Sequence, residues 1–501
     1  MSKASALLLL IVALLAGTAL YHHQKPLPPG MSVAWPAHNL EQPQLLIDQT
    51  WVDDAGNHQL EHQVFDEVLR LIGQARRLIV VDMFLFNDSG GEGLRPLSRQ
   101  LTEALLARRA AIPDMRIVVI SDPFNTFYGG IRSPWFEQLR DAGITVVETP
   151  LSPLRDSNPL WSTPWRLCCQ WLGNTPDRGW LPTPVSDDRV TLRSYLALLN
   201  FKANHRKALV VDYGDTLRGL VSSANPHDAS SRHSNVALAF GGAMAGDLLA
   251  SELSVLTLAG IDANILGDLL AIAGTGSAGS DGNGEGDSGI DTNEDSPDDS
   301  RADSDMTGRI VTEGKIGAAA LAMVEGARAG DRLELAMFYL SHRPLVQALI
   351  HAHQRGVAVR VLLDANRDAF GMKKDGVPNR PVARDLHRAG IPVRWSNTHG
   401  EQFHTKAMMR RDRDGHWQFL LGSANFTRRN LDDYNLETNI LVHGTSPSPL
   451  IGELTAMFER HWQQGPQHPV TLSLPYSAWQ DESSLKYWRY RVMEATGLST
   501  F

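Results

Sequence analysis

An internal repeat limits what this chain of 501 residues can fold into more than any other feature. Segment 77–86 is an apolar run typical of a buried strand, and segment 332–340 repeats its pattern. In both copies a helical pattern follows, and then a second β-rich run that ends in an aspartate, Asp122 or Asp364. A helix closed by glycine leads into a further strand in each copy. Strand–helix–strand order with short connections predicts an α/β sandwich in each half.

The composition of the chain suggests where these halves begin and end. Between the two halves lies a stretch made almost entirely of Gly, Ser, Asp, Asn and Glu. It cannot bury enough apolar surface to offset its ordering entropy, so we expect it to be a disordered linker. The predicted segments are an N-terminal membrane segment (1–25), a first domain (45–270) with a Trp-rich insertion (151–199), an acidic linker (274–306), a second domain (307–480) and an aromatic and basic tail (481–501).

The charge of the chain is concentrated in the linker. Ten acidic residues and one arginine lie between positions 281 and 305, which matches the net charge of −9 for the whole chain. The two domains are therefore close to neutral. Proteins that bind nucleic acid non-specifically usually carry a basic excess, so a nucleic-acid partner is not expected.

The N-terminus carries an apolar run from Ala4 to Tyr21, followed by a proline-rich stretch. The run is at the short end of what spans a bilayer and longer than most signal-peptide cores. A retained anchor is favoured over a cleaved signal, and both deliver the chain to a membrane. An N-terminal export-type segment further predicts a bacterial-type inner-membrane protein with its catalytic body outside the cytoplasm.

The two cysteines, Cys168 and Cys169, are adjacent. Neighbouring residues bridge only with strained geometry, so the sequence predicts no disulfide framework and two small apolar side chains instead.

Each repeat contains a His-x-Lys motif at the same place: His205 with Lys207, and His404 with Lys406. Residues i and i+2 of a strand share a face, so each motif is predicted to project an imidazole and an ammonium together. About twenty residues later each copy ends a strand with small residues and an asparagine amide, namely Ser223, Asn225, Ser423 and Asn425. A matched pair of this kind is hard to explain by packing alone.

Two lysines and two asparagines that converge, together with Ser223 and Ser423, would form a compact anion site that binds the phosphate of a diester. One imidazole can then attack phosphorus while the other protonates the leaving oxygen. These roles require opposite protonation states, so each histidine needs a partner that shifts its pKa. Glu437 is the candidate partner in the second half, and Asn235 or Ser234 takes the equivalent place in the first.

The motif His205-x-Lys207-x4-Asp212, with its second copy, resembles the signature of the phospholipase D superfamily, which includes cardiolipin synthases. The resemblance implies two sandwich domains related by a pseudo-twofold axis, with the active site at their interface. It also implies catalysis without metal or cofactor, through a phosphohistidine resolved by water or an alcohol. By analogy His205 is the nucleophile and His404 the general acid, and the reverse assignment stays open.

The second copy departs from the signature, because Arg411 stands where the motif has aspartate and Asp412 follows one residue late. His404 is also one residue further from its asparagine than His205 is. A single extra residue accounts for both differences. Since the motif's aspartate serves structure more than chemistry, the departure weakens only the assignment of Asp412.

The leading hypothesis is a monomeric phospholipase D-type enzyme, with both halves of the site in one chain, acting on phospholipid head groups. A nuclease of the same superfamily and a non-catalytic phospholipid-binding scaffold are the alternatives. The Trp-rich insertion and the tail around Trp488 would suit either a bilayer surface or a cap over the site. The sequence leaves open which head group and acceptor are used, and whether hydrolysis or transfer prevails.

Overall fold

The computed structural model describes residues 2–89, 93–183, 186–277, 306–369, 372–445, 448–463, 470–499 and 501. The strands are β1 (His38–Asn39), β2 (Glu41–Val52), β3 (His58–Glu61), β4 (Leu78–Met83), β5 (Arg116–Ser121), β6 (Thr145–Glu148), β7 (Leu181–Pro182), β8 (Arg189–Val190), β9 (Lys207–Tyr213), β10 (Thr216–Ser222), β11 (Asn235–Gly241), β12 (Thr307–Thr312), β13 (Arg332–Met337), β14 (Ala358–Leu363), β15 (Asp368–Ala369), β16 (Met372–Lys373), β17 (Val393–Ser396), β18 (Lys406–Arg411), β19 (His416–Gly422), β20 (Thr438–Thr445) and β21 (Ser473–Pro475).

The helices are α1 (Lys3–Gln24), α2 (Val64–Gln74), α3 (Leu97–Ala111), α4 (Pro134–Asp141), α5 (Pro159–Cys168), α6 (Leu192–Leu198), α7 (Ala243–Leu258), α8 (Ala263–Ser277), α9 (Gly314–Glu325), α10 (Arg343–Gln354), α11 (Asn379–Arg388), α12 (Arg428–Leu431), α13 (Pro449–Trp462) and α14 (Ser484–Thr496).

Two large sheets repeat the same strand order. Seven strands of the first sheet run β2-β11-β10-β9-β4-β5-β6, and seven of the second run β12-β20-β19-β18-β13-β14-β17. In both, the last three strands are parallel and the others antiparallel. The predicted fold class, a duplicated α/β sandwich, is confirmed. The N-terminal strand β1 joins the second sheet, where His38 pairs with Gly308.

The two sheets face each other across one shared apolar core. Along β4, Val80 packs into this core, while Ile79 and Val81 pack on the outer face with helices α2 and α3. On β18, Met409 belongs to the shared core and Met408 to the outer core of the second half. Both faces of each sheet are thus buried, which is why these strands read as continuous apolar runs rather than as alternating patterns.

A buried ion-pair network ties the two halves together beside this core. Arg206 is fully buried and lies 2.7 Å from Glu313 of the second half and 3.3 Å from Glu252 of the first. Burying a charged group costs several kcal/mol of desolvation, which only a well-placed opposite charge offsets. The buried guanidinium and its carboxylate partners therefore depend on each other. Glu313 also accepts a hydrogen bond from the main-chain N–H of Glu437 at 3.1 Å.

Three predictions from the sequence have different outcomes here. The acidic linker predicted over 274–306 falls mostly on 278–305, which lie outside the described residues; α8 runs to Ser277, and Met306 is buried. Cys168 and Cys169 are joined by a disulfide bond, so the prediction of two unbridged side chains was wrong. Among the described residues, α1 is long and apolar enough to cross a membrane, and none of its residues is buried.

Candidate active site

The two His-x-Lys motifs lie where the sheets meet, just ahead of the strands that follow them. Strands β9 and β18 begin at Lys207 and Lys406, so the two histidines precede the strands instead of lying in them as the sequence predicted. Each histidine segment crosses to the opposite half. The N–H of His205 donates to the carbonyl of Leu436 at 2.9 Å, and the N–H of Ser234 donates to the carbonyl of Gln402 at 3.1 Å.

These two crossings exchange the partners of the histidines between the halves. Nδ1 of His205 lies 2.8 Å from Oε1 of Glu437, and Nδ1 of His404 lies 3.2 Å from Oδ1 of Asn235. The sequence placed each partner with the histidine of its own half, and the structure places it with the histidine of the other. With Nδ1 engaged in this way, Nε2 is the nitrogen of each ring that remains for chemistry.

Each partner is itself held by the serine of the Ser-Ala-Asn segment. Ser423 Oγ donates to the Glu437 carboxylate and accepts the N–H of Thr438 at 3.0 Å. Ser223 Oγ donates to Asn235 Oδ1 at 3.1 Å. The sequence assigned both serines to phosphate binding, whereas their hydroxyls here orient the residues that contact the histidines.

The carboxylate of Glu437 has a further partner that the sequence analysis missed. Asn430 Nδ2 donates to Glu437 Oε1. Together with Ser423 it fixes the carboxylate against His205. Asn430 lies in the short helix α12, and the equivalent position of the first repeat is Ser230, so the alignment of the repeats does not mark it.

The lysines and an aromatic pair complete the pseudo-symmetry. Nζ of Lys207 donates to the carbonyl of His205 at 2.8 Å, and Nζ of Lys406 donates to that of His404 at 2.9 Å. Each lysine uses one of three N–H groups in this way. The rings of Phe84 and Phe338 contact the adjacent histidines and lie 5.2 and 5.4 Å from Nζ of Lys207 and Lys406 respectively.

A repeated sequence signal marks these two phenylalanines. Each follows the methionine that ends β4 or β13, at positions 83–84 and 337–338. Since neither copy carries a reactive group there, the sequence pattern predicts a strand and no role in the site.

Burial and neighbouring charges shift the pKa values of the histidines and lysines of the site. Burial lowers the pKa of His205 to about 4, although the Glu437 carboxylate acts in the opposite direction. Burial and the nearby Lys406 ammonium lower the pKa of His404 well below its usual value. Burial lowers the pKa of Lys207 to about 7, and burial with the charge of Lys207 lowers that of Lys406. These mutual effects show that both motifs face one site, and that a bound anion would relieve their repulsion.

The two asparagines lie at the ends of the strands that pair with the motif strands. Asn225 Oδ1 accepts the N–H of Leu85 at 3.2 Å. Among the described residues, the buried Oδ1 of Asn425 has no hydrogen-bond partner. Buried amide groups are normally satisfied, so an open one just beyond β19, the strand that pairs with β18, is consistent with a place for a ligand.

Two strand-end aspartates position the segments that carry the histidines. Asp122 Oδ2 accepts the N–H of Asn204 at 2.7 Å, and Asp364 Oδ2 accepts the N–H of Phe403 at 2.8 Å. Burial raises the pKa of Asp122 to about 8 and that of Asp364 to about 7. The repeat aligned these two residues, but their contact with the residue just before each histidine needed the tertiary structure.

Asp212, the last residue of the first motif, lies away from the histidines. Its carboxylate accepts the main-chain N–H groups of Arg76, Arg77 and Leu78 at 2.8–3.2 Å and so holds the start of β4. Asp212 belongs to the signature on which the resemblance to a catalytic motif rests, and its contacts are structural, as the sequence analysis expects for the motif's aspartate.

The second motif has no equivalent carboxylate in its strand. Arg411 of β18 pairs with Arg332 at the start of β13, so it takes the position that Asp212 has opposite the start of β4. The extra residue lies in the turn after β18, where Asp412 accepts the N–H of His416 at 2.8 Å. The insertion therefore explains the longer spacing, but it does not displace the motif's aspartate.

Comparison with known proteins adds the following. Residues 324–462 match the family described as cardiolipin synthase, PLD-like domain. The fold is similar to that of phosphatidylserine synthase from Haemophilus influenzae Rd KW20, with 11% identity over 86% of this chain and 91% of that chain, at a TM-score of 0.51. The family match confirms the resemblance to the phospholipase D superfamily over residues 324–462, and the structural match shows a similar fold.

Two further solved structures match with lower TM-scores. Polyphosphate kinase from Porphyromonas gingivalis matches with 14% identity over 91% of this chain and 53% of that chain, at a TM-score of 0.43. The phospholipase D family member Nuc from Salmonella typhimurium matches with 19% identity over 32% of this chain and 96% of that chain, at a TM-score of 0.25. No curated protein matches the chain in sequence.

The contrast between the two motif aspartates is testable. Asp212→Ala leaves three main-chain N–H groups without their acceptor, at about 1–3 kcal/mol for each one that stays buried. We expect the thermal midpoint in detergent to fall by roughly 5–10 °C, at ~2–4 °C per kcal/mol. The matched variant Asp412→Ala, in an exposed turn, should change it by less than about 2 °C. Equal shifts for the two variants would contradict the structural role of Asp212.

Proposed function

We propose that this chain, which carries the duplicated phospholipase D fold, is a membrane-anchored enzyme that cleaves or exchanges the head groups of phospholipids. The observation that carries the proposal is the crossed pairing of His205 with Glu437 and of His404 with Asn235, beside two buried lysines. Neither half contains a complete pair. The phospholipid substrate is supported by the cardiolipin synthase-type family over residues 324–462 and by the apolar helix α1.

In the first step, Nε2 of His205 attacks the phosphorus of the diester. The bond from phosphorus to the head-group oxygen breaks, and His404 donates a proton to that oxygen, so a phosphohistidine forms as the head group leaves. In the second step, His404 takes a proton from water or from an acceptor alcohol, whose oxygen then attacks phosphorus. The phosphorus–nitrogen bond breaks and His205 is released.

The difference between the two histidine partners supports this assignment of roles. A carboxylate stabilises the positive charge that the His205 ring acquires when it is bonded to phosphorus, and an amide oxygen cannot do so equally well. The amide of Asn235 orients His404 without adding charge, which suits a group that both donates and accepts a proton. Lys207 and Lys406 would neutralise the phosphate, and the anion in turn would raise the pKa of His404 toward the range in which it can act as an acid.

Trapping the covalent intermediate tests the assignment. The full-length protein in nanodiscs is given ³²P-labelled phosphatidyl-p-nitrophenol, whose leaving group needs no proton. We expect His404→Asn to accumulate acid-labile label on the protein and His205→Asn to accumulate none. His443→Asn, a half-buried histidine outside the pair, should behave as the unchanged protein does.

Other outcomes of this experiment would overturn parts of the proposal. Label on His205→Asn but not on His404→Asn would reverse the two roles. No head group released from phosphatidylcholine or phosphatidylglycerol, together with degradation of single-stranded DNA in the presence of a chelator, would favour a nuclease.

The pH dependence of kcat/KM tests the role of Glu437. His205 must be neutral to attack, and its pKa is about 4, so activity should fall only as the pH drops through about 4 rather than through the usual range near 6.5. Glu437→Gln removes a charge that raises the pKa of His205, so the acidic limb should move lower. We expect kcat to drop by roughly 10²–10⁴-fold, as when other orienting carboxylates are lost. An acidic limb that moved upward in the variant would contradict the pairing.

A further inference from the structure

Two groups of exposed apolar side chains stand out on the surface of the protein. The first, in the insertion, we term the insertion crest; it comprises Leu160, Leu167, Trp171, Leu172 and Trp180. The second, on one face of α14, we term the tail stripe; it comprises Leu485, Trp488 and Val492, which are 80%, 65% and 56% exposed. Exposed apolar groups of this size indicate a surface that contacts something.

Hydrogen bonds link the segments that carry both groups to the C-terminal end of α1. The N–H of Asp156 donates to the carbonyl of His22 at 2.9 Å, and α5, which carries the first residues of the crest, begins three residues later. On the other side, Arg428 Nη2 lies 3.2 Å from Nε2 of His23, and Nη1 of the same guanidinium donates to the carbonyls of Glu494 and Ala495 at the end of α14. The crest and the stripe therefore flank the point where α1 meets the folded body.

The length of α1 identifies the partner of this surface. A helix of 22 residues is about 33 Å long, close to the ~30 Å of the bilayer hydrocarbon core. Its end, where the crest and the stripe are attached, would then emerge at the level of the lipid head groups. Tryptophan and long basic side chains are favoured at this level, and α14 carries Trp488 between Lys486 and Arg489, which pair with Asp481 and Asp375.

We propose that the insertion crest and the tail stripe dock on the lipid bilayer around the base of α1, and that the bilayer is the partner of this face. The two candidate roles of these segments, a membrane surface and a cap over the site, are thereby separated: their apolar side chains point to solvent, where a cap would bury them.

The docked face lies close to the histidines. The hydroxyl of Tyr434 is 3.0 Å from Nε2 of His23, and Glu437, three residues later, contacts His205. Three residues of extended chain span at most about 11 Å. The consequence for catalysis, a site held at the head groups it acts on, rests on the proposed function; the docking surface itself does not.

Lipid contact can be measured without turnover. The full-length chain with Cys168→Ser and Cys169→Ser receives one new cysteine, at Leu160, Leu485 or Val492, labelled with an environment-sensitive fluorophore. It is reconstituted in nanodiscs of phosphatidylcholine and phosphatidylglycerol, with or without lipid brominated near the top of its acyl chains. Leu270→Cys is the matched control, because Leu270 is 55% exposed and its helix contacts the start of β5, at the opposite end of that sheet from the histidines.

We expect brominated lipid to quench the label at the three test positions by roughly half, since an interfacial face buries itself ~5–10 Å into the boundary of the acyl chains. The label at position 270 should be unaffected. Quenching no greater than at position 270 overturns the proposal. Labels protected from aqueous iodide but not quenched by lipid would also overturn it, and would indicate a second copy or another protein on this face. Quenching without any turnover would leave the docking surface standing while the proposed function fails.

Discussion

Two short backbone crossings determine the rest of the site. The segment before His205 pairs with the segment before Glu437, and the segment before His404 pairs with the segment before Asn235. Each crossing carries a histidine from one half to a partner in the other. Neither histidine can be oriented by its own domain, so the chemistry that we propose requires both domains to be folded and packed together. The shared apolar core between the sheets supplies the energy that holds these crossings in register.

The same arrangement turns a duplicated fold into an asymmetric site. The strand order, the lysine contacts and the phenylalanines are repeated in both halves. What differs is the pair of residues that the crossings deliver, a carboxylate to His205 and an amide to His404. The position between His and Lys differs as well: Arg206 forms a buried ion pair with Glu313, whereas Thr405 contacts the carbonyl of Ser234. The charge is therefore concentrated on the His205 side.

Burial makes this charge effective. A carboxylate, two lysines and two imidazoles in one water-poor site interact more strongly than they would at a surface, and they shift each other's pKa values. Burial lowers the pKa values of both lysines and both histidines, and an anion that enters would raise them again. The diester that we propose as substrate would supply that anion, so binding and the protonation of His404 would be coupled.

The sequence by itself determined the duplication, the α/β class and the two His-x-Lys motifs with their asparagine strands, because these features depend on local periodicity and on a repeat that can be aligned. It also marked Asp122 and Asp364 as equivalent, without a role for either. Only the tertiary structure decided that Glu437 contacts His205 instead of His404, that Ser223 and Ser423 orient these partners, and that Asp212 holds a loop. Those contacts join residues far apart in the chain, and no local spacing specifies which half a side chain will face once two similar sheets pack against each other.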